Sequence, residues 1–249
     1  MKLKSIFEHA IFLLSVPKCV CCGAKLRFEE KALCSECKIR YDEIKTRNCS
    51  LCSNVLSKCK CSNKYLESHY VKNLLKVYRY APGDDIATNR LIYSLKRDDR
   101  SDVFEFLSAE LRVSIENAIK NPEQFVFTNV PRRKKSISKY GVDHSGRIAK
   151  TLAKTFSAEY YQPLVSKNKR DQKKNIGSER MKNLNFFYKK NAKDLSGKRV
   201  IIVDDVVTTG ASLGTCAAML RGLGAKEIVG ATISIAFKDQ YTPFKTRNY

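Results

Sequence analysis

The sequence predicts an α/β fold: a parallel-rich sheet preceded by a small cysteine-rich module. Three observations carry that expectation. Val200, Ile201, Ile202 and Val203, just after Arg199, form an apolar, β-branched run of the kind buried on both faces of a parallel sheet. Upstream of it, from about residue 71, strand-like and helix-like stretches alternate, which is the pattern of a parallel α/β sheet. Nine of the ten cysteines fall between Cys19 and Cys61. At 249 residues the chain can hold one sizeable core and one small module. The expected division is 1–66 and 67–249.

The N-terminus combines Lys2 and Lys4 with an apolar stretch over 6–16, superficially like a signal peptide. Glu8 and His9 interrupt that stretch, and no small-residue cleavage site follows it. Ile6, Phe7, Ala10, Ile11, Leu13 and Leu14 share one helical face, so a short amphipathic helix is expected there. The cysteines that follow come in pairs: Cys19/Cys22, Cys34/Cys37 and Cys49/Cys52 as C-x2-C, and Cys59/Cys61 as C-x-C. A C-x2-C turn presents two thiolates to one Zn²⁺, and two such turns close a tetrahedral S4 site. Four pairs give two sites, structural because every ligand is a protein thiolate. Both consecutive and crossed pairing of the turns are open. A disulfide scaffold would need an oxidising compartment, and without a secretory signal a cytoplasmic location is expected. Cys21 is an odd thiol inside the first turn, and Cys216 reads as a small core residue.

In the remainder, 71–80 reads as a first strand closed by Ala81, Pro82 and Gly83. Asp84 or Asp85 is placed to cap a helix running to Lys96. Val103, Phe106, Leu107, Leu111, Ile115 and Ile119 have helical spacing. A strand follows over 125–131, ended by Pro131 and a basic loop beginning Arg132, Arg133, Lys134. A helix over 145–156, a short strand over 162–165 and another over 186–188 lead to the run at 199. Residues 167–182 are basic and aperiodic, reading as a mobile loop. Residues 228–237 close the sheet, and the tail from Lys238 reads as unstructured.

After the apolar run come Asp204 and Asp205, where the strand should emerge, then Thr208, Thr209, Gly210, Ala211 and Ser212, then a helix. Strand, glycine bend and helix N-terminus in that order make an anion site. Two carboxylates would repel a phosphate unless they face hydroxyls or Mg²⁺, so the expected ligand carries both a phosphate and a diol. Receiver domains also have a strand ending in Asp-Asp, but near the domain start and without the Thr-Thr-Gly bend. The acidic strand of a P-loop NTPase needs a G-x4-G-K-[ST] partner, and the nearest stretch has Arg147 and Ile148 at its two chemical positions. A plain core strand with a solvated turn is the remaining alternative.

The net charge is +22, and 132–199 alone holds 20 Lys and Arg against 5 Asp and Glu. Such a concentration beside a phosphate motif favours polyanionic ligands. No apolar run of membrane-spanning length exists, so no membrane span is expected.

Residues 200–212 resemble, without a gap, the phosphoribosyl pyrophosphate (PRPP) signature of type I phosphoribosyltransferases. With the cysteine module, Leu95-Lys96, Val130-Pro131, Gly141 to His144, Gln172 and Arg180-x-x-Asn183, nearly the full chain resembles the ComF (ComFC) family of competence-associated proteins. That family often shows R-G-F-N-Q where this chain has Tyr140-Gly141-Val142-Asp143-His144. The resemblance implies a type I phosphoribosyltransferase sheet behind a double zinc ribbon. It implies PRPP bound with Mg²⁺: Asp204 and Asp205 on the ribose hydroxyls and in catalysis, Thr208, Thr209, Gly210, Ala211 and Ser212 around the 5′-phosphate, and Pro131, Arg132 and Arg133 at the pyrophosphate. Lys169, Arg170, Lys173, Lys174 and Arg180 would form a closing lid. A non-catalytic PRPP sensor that holds single-stranded DNA, working with DNA-uptake machinery, is the alternative. Acceptor and oligomeric state are not readable from the sequence.

Overall fold

A computed structural model describes residues 16–49, 51–79, 86–98, 100–132, 142–166 and 186–236. The expected N-terminal helix over 6–16, the caps Asp84 and Asp85, Arg133 with its basic loop, the 167–182 loop with its five basic residues, and the tail from Lys238 lie outside them. Among the described residues the elements are α1 (Ser35–Lys45), α2 (Lys64–Ser68), β1 (Asn73–Arg79), α3 (Ile86–Arg97), α4 (Ser101–Ala118), β2 (Phe125–Asn129), α5 (His144–Thr155), β3 (Glu159–Tyr160), β4 (Leu164–Ser166), β5 (Phe186–Tyr188), β6 (Arg199–Val207), α6 (Ala211–Gly222) and β7 (Glu227–Ile235). No helix among them is long and apolar enough to cross a membrane.

Five strands form one sheet in the order β1-β7-β6-β2-β3, and every pairing is parallel. β6 therefore lies inside the sheet, which is why Val200, Ile201, Ile202 and Val203 are all fully buried. Alternation splits them between two cores. Ile201 and Val203 join Leu75, Val77, Phe127 and Ile233 under Leu91, Leu95, Leu107, Leu111, Ile115 and Ile148 of α3, α4 and α5. Val200 and Ile202 join Leu74 and Val126 under Leu213, Cys216, Ala217 and Leu220 of α6. Helices on both faces explain why these strands read as continuous apolar runs.

The short strand expected over 162–165 is β4, and β3 just before it is a further strand that the sequence reading did not anticipate. β3 pairs with β2 in the main sheet, whereas β4 pairs antiparallel with β5 in a separate two-stranded ribbon. Pro163 stands between them and has no N–H to continue a ladder.

The cysteine module is built onto the sheet. Cys19, Leu26, Ala32, Leu33, Cys37, Tyr41 and Ile44 belong to the same buried cluster as β1 and α4. Tyr41 is fully buried, its ring edge-on to Tyr78 at 5.7 Å and to Phe106 at 5.2 Å. Its hydroxyl donates to Glu110 Oε2, which also accepts from Lys45 Nζ at 2.6 Å. Arg100 Nη2 donates to the Lys18 carbonyl oxygen at 2.8 Å, tying the first turn to the start of α4.

Candidate functional site

β6 does not end at its acids. β7 stays paired with it as far as Val207, opposite Ile235, whereas β2 stops at Asn129, opposite Val203. Past Val203 the β2 flank of β6 is therefore open, and Asp204 and Asp205 lie along that flank inside the strand. The sequence placed them at its emergence. Successive strand residues face opposite ways, and the two carboxyls acquire different surroundings.

Asp205 is 5% exposed. Its carboxylate pairs with the guanidinium of Arg132 and lies 3.5 Å from Lys96 Nζ. Burial works to raise its pKa, but the Lys96 ammonium and the Arg132 guanidinium overcome that and hold the acid below the usual carboxylate range. Asp204 is half-buried and accepts a hydrogen bond from Ser145 Oγ at 3.2 Å. Burial, and next the neighbouring charge of Asp205, push it well above the usual range. One acid is thus held ionised and the other is biased toward its protonated form.

Ser145 is placed by a buried network. Asn129, 1% exposed at the end of β2, donates to Asp143 Oδ2 and accepts from Tyr160 and Gln162. The other oxygen of Asp143 caps α5 by accepting from the Gly146 N–H at 3.1 Å. The first turn of α5 is thereby fixed beside β6.

The bend after β6 leaves Thr208 and Thr209 exposed, and Gly210 turns left-handed at φ 84°. Ala211 N–H donates to Thr209 Oγ1 at 3.3 Å, and no side chain of the N-cap residue caps α6. The first-turn N–H groups beside the exposed Ser212 hydroxyl suit a phosphate. A Cβ at Gly210 would stand 2.8 Å from Leu66 Cγ as well as demand the left-handed φ. Gly210→Ala is therefore expected to cost about 1–2 kcal/mol of folding stability, read by urea denaturation. An unchanged midpoint would contradict the close approach.

Of the residues singled out from sequence, Asp204, Asp205, Thr208, Thr209, Gly210, Ala211, Ser212, Pro131 and Arg132 gather at this carboxyl edge, with Arg132 in contact. Arg133 lies outside the described residues. Three further residues belong to the site and were not marked as such. Lys96 reaches Asp205 from the last turn of α3, Ser145 reaches Asp204, and Asn63 Nδ2 donates to the Thr209 carbonyl oxygen at 3.1 Å. Lys96 stands out in sequence as a cation closing an amphipathic helix and as half of the Leu95-Lys96 pair, with no site role attached; Ser145 and Asn63 carry no such signal.

The cysteines settle into two groups by consecutive pairing: Cys19, Cys22, Cys34 and Cys37, and Cys49, Cys52, Cys59 and Cys61. Within each group the sulfurs lie within 4.8 Å of one another. Tetrahedral Zn²⁺ with four thiolates requires sulfurs roughly 3.8 Å apart. Cys22 and Cys34 of the first group already stand at 3.6 Å, and with the sulfurs of each group this close together both donor sets suit the ion.

Residues 137–245 match the phosphoribosyl transferase domain. The chain is 26% identical over 228 residues to the DNA utilization protein YhgH of Escherichia coli K12, covering 87% of this chain and 96% of that one. It is 24% identical over 229 residues to the competence protein ComFC of Streptococcus pneumoniae, covering 85% and 96%. A purine phosphoribosyltransferase structure from Pyrococcus horikoshii is 20% identical and covers 56% of this chain and 90% of its own. Its TM-score is 0.34.

Proposed function

From the premise that this chain is a relative of the ComFC and YhgH proteins and carries a phosphoribosyl transferase domain, we propose that it binds PRPP and transfers the 5-phosphoribosyl group, in the service of DNA uptake or use. The observation that carries the proposal is the meeting, on one open flank, of two adjacent aspartates, held by Ser145 and Arg132, with a glycine bend and a helix N-terminus. Thr208, Thr209, Ser212 and the N–H groups of α6 hold the 5′-phosphate. Asp204 and Asp205 accept from the ribose 2- and 3-hydroxyls. Arg132, seated against Asp205, and Pro131 lie where the diphosphate leaves, and Lys96 adds positive charge from the far side. In the transfer the bond from the anomeric carbon to the diphosphate oxygen breaks as the acceptor's lone pair forms the new one. The pentose ring gains positive charge that the Asp205 carboxylate stabilises, and the departing diphosphate takes negative charge met by Arg132. Two carboxylates suit Mg²⁺, which when bound would neutralise part of the diphosphate charge. Zn²⁺ held by the two cysteine groups would be structural, since each group offers four thiolates and no place for a substrate.

Calorimetry with PRPP and Mg²⁺ tests the reading. The wild-type chain is expected to bind, and the Asp204→Asn/Asp205→Asn variant to lose binding while keeping two zinc ions per chain. Retained affinity in that variant would falsify the site. Release of diphosphate on adding bases or amines separates transfer from binding alone.

A second reading is favoured by the +15 net charge of 132–199 and by the names of the relatives: a PRPP-responsive protein that holds single-stranded DNA. Lys and Arg contacts to phosphates make such binding fall steeply with salt. A flat response from 50 to 200 mM salt would remove it.

A further inference from the structure

The segment joining the second cysteine group to the sheet lies on the phosphate bend. Asn63 Nδ2 donates to the Thr209 carbonyl oxygen, and Asn63 Oδ1 accepts from the Leu66 N–H at 2.8 Å, capping α2. Leu66 is fully buried and fills the space a side chain at Gly210 would need. Tyr65 and His69, stacked at 4.1 Å, fit against Gly214 on the helix that the bend opens. No ligand-facing role is needed for any of these residues; they form the back wall of the bend.

That wall is anchored from the cysteine side. Leu74 N–H on β1 donates to the Lys60 carbonyl oxygen at 3.0 Å, and buried Lys76 donates from Nζ to the Cys61 carbonyl oxygen. A single residue, the buried Ser62, separates Cys61 from Asn63. The second group has almost no core of its own. Its buried cluster is Cys49, Leu56 and Cys59, with Cys52 and Cys61 packed against it. Four of those five side chains are metal ligands, so without metal little apolar burial holds the group together.

We propose that Asn63 and Leu66 are positioning residues of the phosphate site, held in place by metal at Cys49, Cys52, Cys59 and Cys61, so that affinity for a phosphorylated sugar depends on an ion no ligand touches. The inference rests on the PRPP reading for its ligand but not for its geometry. Linkage makes the effect reciprocal: PRPP tightens metal at the second group by the same factor that metal tightens PRPP.

The test uses the full chain and three variants. Cys61→Ser is expected to lower zinc from two ions per chain to one. Asn63→Ala and Leu66→Ala keep every cysteine and both ions, which guards against a misfolded ligand variant. Calorimetry with PRPP and Mg²⁺ is expected to show affinity reduced about fivefold to tenfold in each. Hydrogen exchange without ligand is expected to quicken at the amides of 208–212 and to stay unchanged at 200–203. Affinity and exchange equal to wild type in Cys61→Ser, or in both Asn63→Ala and Leu66→Ala, overturn the proposal. Should the wild type fail to bind PRPP, the ligand reading falls, and exchange alone decides the coupling: faster exchange at 208–212 upholds it and unchanged exchange sinks it.

Discussion

Exchange of Cys37 for serine is expected to lower the melting temperature of the whole α/β body, not only that of the cysteine module. Cys37 is 3% exposed, and the first cysteine group shares its apolar surroundings with β1, α4 and α5. Zinc at such a group contributes roughly 10–16 kcal/mol to folding in isolated fingers, as much as the whole stability of an ordinary domain. Even a third of that lost would lower the midpoint by about 10 °C in a chain of this size. Cys52→Ser in the second group should shift it by only a few degrees, because that group has its own small cluster apart from the main core. Thermal unfolding followed by far-UV circular dichroism, with zinc analysis of the same samples, makes the comparison. Equal shifts for the two variants would show that continuity with the core is irrelevant.

Opposite signs are expected from the two aspartates. Asp205→Asn leaves Arg132 and Lys96 facing a neutral amide in a buried place, which costs about 3 kcal/mol. Asp204→Asn removes a half-buried carboxyl that is repelled by its neighbour, and should raise the stability of the ligand-free chain by about 1 kcal/mol. The pH dependence separates them further. Asp204 has a folded-state pKa above its ordinary 3.8, so its contribution to stability is complete below that value and is lost as pH rises through the raised one. The advantage of Asp204→Asn over wild type should therefore grow with rising pH. Asp205 is depressed, so its contribution is present above 3.8 and is lost as pH falls through its lower folded value. Asp205→Asn should consequently show a constant deficit at all pH values above that range. Urea denaturation of both variants above about pH 5, where thiolates still hold metal, reads both trends. Two variants that change stability in the same direction would remove the asymmetry on which the ligand-free site is described.

Much of this arrangement is legible in residues close together along the chain. The apolar run of β6, the acids, the glycine bend and α6 follow one another within 24 residues, 199–222, and each carries a local signal. The eight cysteines likewise declare themselves by spacing. Lys96, Ser145 and Asn63 do not, since each reaches the site from an element 59 to 146 residues away and has the sequence signature of an ordinary surface residue or cap. That the short strand expected at 162–165 pairs with β5, apart from the main sheet, was similarly hidden, because short apolar runs do not say which partner they pair with.

By itself, the sequence determined the parallel sheet, the two four-cysteine groups and the order strand–acids–bend–helix, because side-chain periodicity and ligand spacing are local properties. Only the tertiary structure decided which cysteine turns come together, that β2 ends short and opens one flank of β6, and that adjacent aspartates acquire different surroundings. Each of those depends on charge and packing brought from distant parts of the chain, and burial makes the energy of a carboxylate depend on those neighbours far more than on its own place in the sequence.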